Sequence, residues 1–372
     1  MEKKYPFFIR STVTLFGIIL FLGMLFILRD IMVPLAFAFM IAILLNPLVN
    51  FFVRNNISKV VAITIALLLA ILFVTGIMYF ISSQVARFSD NWPELKHRLS
   101  EIFNNLQVWL QTNYSLTTAK QSELLRQAAQ SLHPLIGETL SNVFGAFSFI
   151  FLLPVYIFLA LFYKTLIVNF LYEIFSEKNS KEVSTILKQT KSAIQSYMVG
   201  LLMEAIIVAA LNSAALLLLG VQYAILLGVL GALLNVLPYI GGIIAIALPV
   251  IIATITTSGF STQLAIIGAY AAIQFIDNNF IVPRIVSSQV KINALVSLVI
   301  VLMGGELWGV AGMFLSVPFI AVLKIIFDRV EGLRPWGKLL GTEIPVETMG
   351  ANWWKNKKER KSLSEDIVER NE

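Results

Sequence analysis

The feature that most constrains this chain is a series of long apolar stretches with few charges inside them. The most informative stretch covers residues 294–326, where two apolar runs meet at the turn Gly304-Gly305-Glu306-Leu307-Trp308-Gly309. A membrane-spanning helix needs about 20 apolar residues, and each run is shorter than this or barely as long. Broken backbone at membrane depth is tolerated only where it faces protein or a water-filled cavity. We therefore expect this segment to contribute to a polar site inside a membrane protein.

Composition supports an all-α, polytopic helical membrane protein. Hydrophobic residues make up 58% of the chain and charged residues 13%, whereas about a quarter of a soluble domain is charged. The net charge is +6, and the basic residues lie beside apolar segments, as the positive-inside rule describes. We therefore expect the lipid bilayer and not nucleic acid as a partner. The chain has no cysteine, and its two histidines, His97 and His133, are not spaced as metal ligands. We expect no metal site and no cofactor.

The charge pattern predicts a multi-pass protein of the plasma membrane with both termini in the cytoplasm. Two hairpins broken by Gly or Pro, residues 223–257 and 294–326, leave the number of spans open. About eight spans result if one hairpin is re-entrant, which we favour, and ten if both cross. The predicted segments are N-terminal transmembrane helices (1–81), an extracytoplasmic amphipathic helical insertion (82–141), a transmembrane helix with a cytoplasmic interfacial segment (142–196), a C-terminal transmembrane core (197–328) and a cytoplasmic tail (329–372).

Ionisable and amide side chains within the apolar spans are candidates for a binding site, because such groups are costly at membrane depth. Glu204 lies in one span; it either faces the interior or is wetted by headgroups or paired with a lysine. Asp277 lies near the end of another span, beside Gln274 and Asn278, which share a helical face at i and i+4. These three side chains either face a solute path or form a polar helix end paired with Arg284.

A second broken segment reads Asn235-Val236-Leu237-Pro238-Tyr239-Ile240-Gly241-Gly242. Proline removes a backbone donor, and glycine allows close backbone approach, so the segment predicts a break within the membrane. Asn235 and Tyr239 would then supply ligands, and Pro238, Gly241 and Gly242 would act as hinges. The alternative is an ordinary turn between two spans.

The turn of the last hairpin offers a further candidate ligand, Glu306. It is solvated if the turn reaches the far aqueous face and enclosed by protein if the hairpin is re-entrant. Gly304, Gly305 and Gly309 are the corresponding candidate hinges.

Together these elements resemble the AI-2E transporter family over nearly the whole chain, roughly residues 8–329. The matching motifs are Asn235-Val236-Leu237-Pro238-Tyr239-Ile240-Gly241, Asp277-Asn278 followed by Pro283-Arg284, and Gly304-Gly305 with Gly309, Gly312 and Val317-Pro318. The resemblance implies a plasma-membrane permease of about eight spans that forms a homo-oligomer. It also implies one of two activities, export of the furanone autoinducer-2 or exchange of sodium or lithium against protons.

We therefore expect a secondary transporter and not an enzyme. No GxxxxGK[ST] loop for ATP and no HExxH helix for a metalloprotease is present in the sequence. The first hypothesis is transport of a small polar solute resembling autoinducer-2, with Asp277 holding the solute, a proton or a cation. The second is antiport of a monovalent cation and a proton. The third is a non-transporting membrane scaffold, against which the polar residues in the spans argue.

Overall fold

The computed structural model describes residues 6–90, isolated residues between 93 and 112, and residues 151–174, 180–236, 241–257, 260–286 and 291–342. Every regular element in these ranges is a helix, so the predicted all-α class is confirmed. Most of the predicted insertion, the beginning of the span that precedes Phe151, the pair Pro238 and Tyr239, and residues 343–372 of the tail lie outside the described residues.

The N-terminal third forms three helices, two of which pack closely. Ala38 and Ala42 of the second helix and Ala62 and Ala66 of the third are all buried in one apolar cluster, because small side chains let helices approach each other. The third helix continues past residue 81, where its apolar pattern ends, into the first part of the predicted insertion. These helices are α1 (Phe7–Ile27), α2 (Arg29–Arg54) and α3 (Lys59–Asp90).

Two helices follow, α4 (Phe151–Phe162) and α5 (Lys164–Ile174), and they are bent by 62° at Tyr163. Ile157 and Leu161 of α4 complete the apolar cluster with α2 and α3. Helix α5 has no buried residue. Its interfacial position, which its amphipathic sequence predicts, stays a prediction.

Helix α6 (Ser180–Leu218) is the longest uninterrupted helix in the described part of the chain, with 39 residues. At 1.5 Å per residue it is about 58 Å long, well above the bilayer core of about 30 Å. The predicted boundary between residues 196 and 197 therefore falls inside one helix. The basic segment before that boundary and the predicted span after it form one continuous helix.

Two shorter helices, α7 (Ala224–Asn235) and α8 (Gly241–Thr256), pack beside α6. The approach of α7 to α6 depends on Gly228, where a Cβ atom would lie only 2.5 Å from the backbone nitrogen of Ser213. With 12 and 16 residues, both helices are shorter than the roughly 20 residues of a full span.

Helix α9 (Ser261–Ile276) runs directly into a π-helix (Asp277–Val286). The π-helix contains Pro283, which lacks the backbone donor that a regular α-helix requires at that position. π-Helical turns are rare and are frequently found at functional sites.

The last long helical segment, α10 (Ala294–Arg329), is a hairpin of two antiparallel arms. Trp308 (φ −136°, ψ 18°) and Gly309 (φ 62°, ψ −145°) leave the helical conformation and reverse the chain. Beyond the turn, Ser316 Oγ donates a hydrogen bond to the carbonyl of Ile300 at 3.0 Å. The first arm, residues 294–307, is about 21 Å long, too short to cross a core of about 30 Å. This length favours the re-entrant form.

The described chain ends with a 3₁₀ turn (Glu331–Leu333) and the short helix α11 (Arg334–Leu340). Among the described residues, five helical segments are long and apolar enough to cross a bilayer when the α10 hairpin is counted by its whole length, and the bent pair α4–α5 brings the number to six. Apolar parts of α1, α7 and α8 are shorter. The total of about eight membrane spans stays a prediction.

Candidate functional site

Asp277 is the most deeply buried ionisable side chain in the described part of the protein, with 1% of the residue exposed. Its Oδ2 atom accepts a hydrogen bond from Asn235 Nδ2 at 2.9 Å. Its Oδ1 atom has no hydrogen-bond partner among the described residues. A carboxylate at this depth is costly unless hydrogen bonds, a proton or a cation satisfy both oxygens. Asp277 therefore has one buried oxygen that no described residue satisfies.

Asn235 reaches Asp277 at the place where the chain reverses between α7 and α8. Gly241, the first residue of α8, lies against the carbonyl of Leu234, so closely that a Cβ atom would overlap the oxygen. At Gly242 a Cβ atom would lie 3.3 Å from Gln274 Oε1 and 3.7 Å from Asn235 Oδ1. The two glycines thus let Asn235, Gln274 and the start of α8 share one space.

Gln274 and Asn278 extend this group along α9 and the π-helix. Gln274 Nε2 donates a hydrogen bond to Asn278 Oδ1 at 3.4 Å, as expected for polar side chains at i and i+4. Asn279 behaves differently, because its Nδ2 atom donates to the carbonyl of Phe275 at 2.8 Å. Its side chain is therefore satisfied by its own helix. The polar face of this segment consists of Gln274, Asp277 and Asn278.

Glu204 joins the same cluster from α6, which packs against the π-helix. Only 6% of the residue is exposed, so it is not wetted at the membrane surface. No lysine or arginine among the described residues forms an ion pair with it. The charges of Glu204 and Asp277 interact. Two ionised carboxylates in one apolar interior repel each other, and a bound proton or cation stabilises such a pair.

Arg284 does not neutralise Asp277. It lies on the exposed side of the π-helix, with its guanidinium carbon 5.8 Å from the centre of the Phe280 ring. The described residues give Asp277 a single side-chain partner, Asn235. The interpretation of this segment as a helix end held by an Asp277–Arg284 ion pair is therefore wrong.

The α10 hairpin is built on α2 and α6, whereas the residues around Asp277 come from α6, α7, α9 and the π-helix. Glu306 lies on the exposed face of the hairpin. At the tip, Trp308 Nε1 donates a hydrogen bond to the carbonyl of Leu25 in α1 at 3.1 Å. The structure thus does not place Glu306 with Asp277.

The three candidate hinge glycines of the hairpin have different surroundings. Gly309 has φ +62° and forms the turn itself. Gly304 lies where the arms cross, and a Cβ atom there would be 2.5 Å from the carbonyl oxygen of Gly312. Gly305 lies against the side chain of Met313. Gly304 and Gly305 therefore allow close packing of the arms. Of the other candidates, Pro238 and Tyr239 fall outside the described residues.

The structure also reveals buried polar residues that the sequence analysis missed. Asn212, Gln263 and Tyr270 are all buried, and each has a side-chain atom without a hydrogen-bond partner in the described part of the protein. Buried polar atoms of this kind are normally satisfied by ordered water or a ligand.

Two of these residues pack against Gly231, near the Asp277 cluster. A Cβ atom at Gly231 would lie 3.3 Å from Asn212 Nδ2 and 3.6 Å from the hydroxyl of Tyr270. Gly231 is one helical turn from Asn235, and Tyr270 is one turn from Gln274, so this contact adjoins the cluster. The available signal in the sequence was the continuation of the Gln274–Asn278 face back to Tyr270 at the same four-residue spacing.

Short apolar helices that break inside the bundle and enclose carboxylates and amides are typical of membrane transport proteins. Comparison with known proteins gives the family. The chain belongs to the AI-2E family of transporters, whose family model matches residues 15–332.

Relatives of similar length support this assignment. The AI-2 transport protein TqsA of Escherichia coli (strain K12) is 26% identical over 335 residues, which cover 87% of this chain and 95% of TqsA. YhhT of the same organism is 25% identical over 317 residues, covering 85% of this chain and 89% of that protein. YueF of Bacillus subtilis (strain 168) is 25% identical over 334 residues, covering 84% and 89%.

Proposed function

We propose that this member of the AI-2E family is a secondary transporter that moves a small, hydroxyl-rich solute resembling autoinducer-2 across the plasma membrane. The observation that carries the proposal is the buried carboxylate of Asp277, which has one oxygen bonded to Asn235 and the other without a partner among the described residues. The name of TqsA, an AI-2 transport protein, supports this class of solute.

In this proposal the free oxygen of Asp277 accepts a hydrogen bond from a solute hydroxyl. Asn235 orients the carboxylate, while Gln274 and Asn278 offer both donors and acceptors to a polar solute. Asn212 and Tyr270, which have unpartnered polar atoms next to this cluster, add further polar groups to it. The break between α7 and α8 and the π-helix are the elements that change conformation as access alternates.

The proximity of Glu204 and Asp277 favours a second candidate function, exchange of a monovalent cation against a proton. A neutral solute needs only one carboxylate as an acceptor. A second carboxylate in the same apolar interior is costly unless a proton or cation accompanies it. Antiport would use both, since binding of a cation between them displaces a proton.

One end of the bundle is basic, and we propose that this end is cytoplasmic. The charges of Lys59 and Lys191 act on Lys164 there, and Lys59 Nζ donates to the carbonyl of Phe162 at 2.7 Å. The opposite end of α2 carries one positive and one negative residue, Arg29 and Asp30, with 3.7 Å between Arg29 Nε and Asp30 Oδ1. These two residues together have no net charge. The excess of positive charge at one end gives the orientation by the positive-inside rule.

The test is flux through the purified protein in liposomes, with two assays on one preparation. We expect the wild-type protein to transport labelled autoinducer-2. In the Asp277→Asn variant the flux should be at least about tenfold lower, because one charge-assisted hydrogen bond is removed. Asp30→Asn, which removes an exposed carboxylate, is the matched control and should retain full flux.

Sodium-dependent proton movement without any organic solute, abolished in Asp277→Asn, would instead establish the antiport function. Asp277→Asn protein that is folded and transports the solute at the wild-type rate would contradict the proposed site. Folding is checked by the elution volume and melting temperature of each variant.

A further inference from the structure

A cavity of about 740 Å³ lies at the basic end of the bundle, between α6, α10 and α11. It is separate from the Asp277 cluster and shares no residue with it. Most of the ionisable side chains that line the cavity are basic, and two are acidic. The basic ones are Lys291, Lys324, Arg329, Arg334 and Lys338, and the acidic ones are Glu182 and Asp328.

Only part of this positive charge is neutralised within the protein. Lys324 Nζ and Asp328 Oδ2 form an ion pair of 2.6 Å. The other four basic side chains have no ion-pair partner among the described residues, and only Glu182 remains to balance them. The cavity therefore has a positive potential that attracts an anion.

The walls of the cavity are held by specific contacts. The backbone nitrogen of Asn293 donates to the carbonyl of Leu340 at 2.9 Å, which ties the start of α10 to the end of α11. Gly337 of α11 is buried against Asp328, with no room for a side chain between them. These contacts hold the cationic side chains of two segments around one space, as a binding site for an anion requires.

The short helix α11, which lines the cavity with Arg334, Gly337 and Lys338, also carries two exposed apolar side chains. Trp336 and Leu339 lie on one face of α11 and are 58% and 60% exposed. Tryptophan is enriched at the level of lipid headgroups, where its ring is partly in lipid and partly in water. An exposed tryptophan on a helix that forms part of the cavity wall therefore favours a lipid headgroup over a soluble anion as the occupant.

We propose that this cavity binds a phosphate-bearing anion, with the headgroup of an anionic phospholipid as its source. Arginine and lysine side chains recognise phosphate oxygens through charge-assisted hydrogen bonds, and the volume falls in the range of about 300–1,000 Å³ typical of ligand pockets. The site would couple the α10 hairpin to the surrounding lipid. The site is formed by residues outside the Asp277 cluster, so this proposal does not depend on which solute is transported.

The experiment measures binding by native mass spectrometry of the full-length protein in detergent. The lipid probes are dioctanoyl phosphatidylglycerol and dioctanoyl phosphatidylcholine. Inorganic phosphate and glycerol phosphate are the phosphate probes without acyl chains. The test variant is Arg334→Glu/Lys338→Glu. The control, Arg54→Glu/Lys188→Glu, makes the same change in net charge at exposed residues of the same end that do not line the cavity.

We expect wild type and control to retain phosphatidylglycerol in preference to phosphatidylcholine, and the test variant to bind it about tenfold or more weakly. Binding of inorganic phosphate or glycerol phosphate as tight as that of the lipid, with the same loss in the test variant, would assign the site to a soluble phosphate. An equal loss in test and control variants would show general surface attraction and overturn the proposal. Failure of the wild type to bind any of the phosphate probes would overturn it as well.

Discussion

Buried polar side chains are the most informative single residues in this protein, because neither lipid nor apolar neighbours can satisfy them. Asn46 is an example outside the Asp277 cluster. It is buried, and its Oδ1 atom accepts a hydrogen bond from Lys164 Nζ at 2.9 Å. The charges of Lys59 and Lys191 act on Lys164, so Asn46 supplies an acceptor to an ammonium group that is otherwise surrounded by like charges.

We predict that Asn46→Ala lowers the free energy of unfolding by about 1–3 kcal/mol, because a hydrogen bond to a charged group is lost and the ammonium keeps no such partner. The measurement is the melting temperature of the purified protein in detergent. Asn50→Ala, at an exposed position of the same helix, should leave it unchanged. Equal melting temperatures for the two variants would show that the Asn46–Lys164 bond does not contribute to stability.

Sequence reasoning found the polar residues of the Asp277 cluster but not all of their partners. The i, i+4 spacing of Gln274 and Asn278 was enough to place both on one face. It did not show that Asp277 bonds to Asn235, 42 positions away in the chain, or that Arg284 stacks on Phe280. Such pairings depend on how helices approach one another, which local spacing does not encode.

At the scale of elements, the α10 hairpin follows from its sequence more directly than any other part. Gly309 has the positive φ that favours glycine. Gly304 and Gly312 allow the arms to touch, and Ser316 Oγ bonds across to Ile300. Without these small residues the two arms would separate and leave buried polar atoms unpaired.

We predict that Gly304→Ala destabilises the protein by about 1–3 kcal/mol, because the added methyl group would overlap Ser316 and the Gly312 backbone. Gly268→Ala is the matched control, since a Cβ atom there meets nothing within 4 Å. It should be neutral or stabilise by about 0.4–1 kcal/mol. Thermal unfolding in detergent measures both. A Gly304→Ala protein as stable as the control would mean that the arms do not pack as described.

At the scale of the whole molecule, the distribution of charge predicts an orientation in the membrane. Because the chain contains no cysteine, single cysteines report their accessibility without interference. We predict that Asp30→Cys reacts with an impermeant maleimide in intact cells, and that Lys188→Cys reacts only after permeabilisation. Both positions are exposed. The reverse pattern would place the basic end outside and invert the proposed topology.

The amino-acid sequence by itself determined that the protein is an all-helical membrane protein, and it indicated the breaks within residues 235–242 and 304–309 and the family to which the chain belongs. These properties follow from local composition, from glycine and proline, and from the order of motifs along the chain. Only the tertiary structure decided that Asp277, Asn235 and Glu204 meet in one interior while Glu306 stays apart, and that basic residues of α10 and α11 enclose a separate cavity. Contacts between distant segments depend on how side chains of different helices fit together, and no pattern within a single helix specifies that fit.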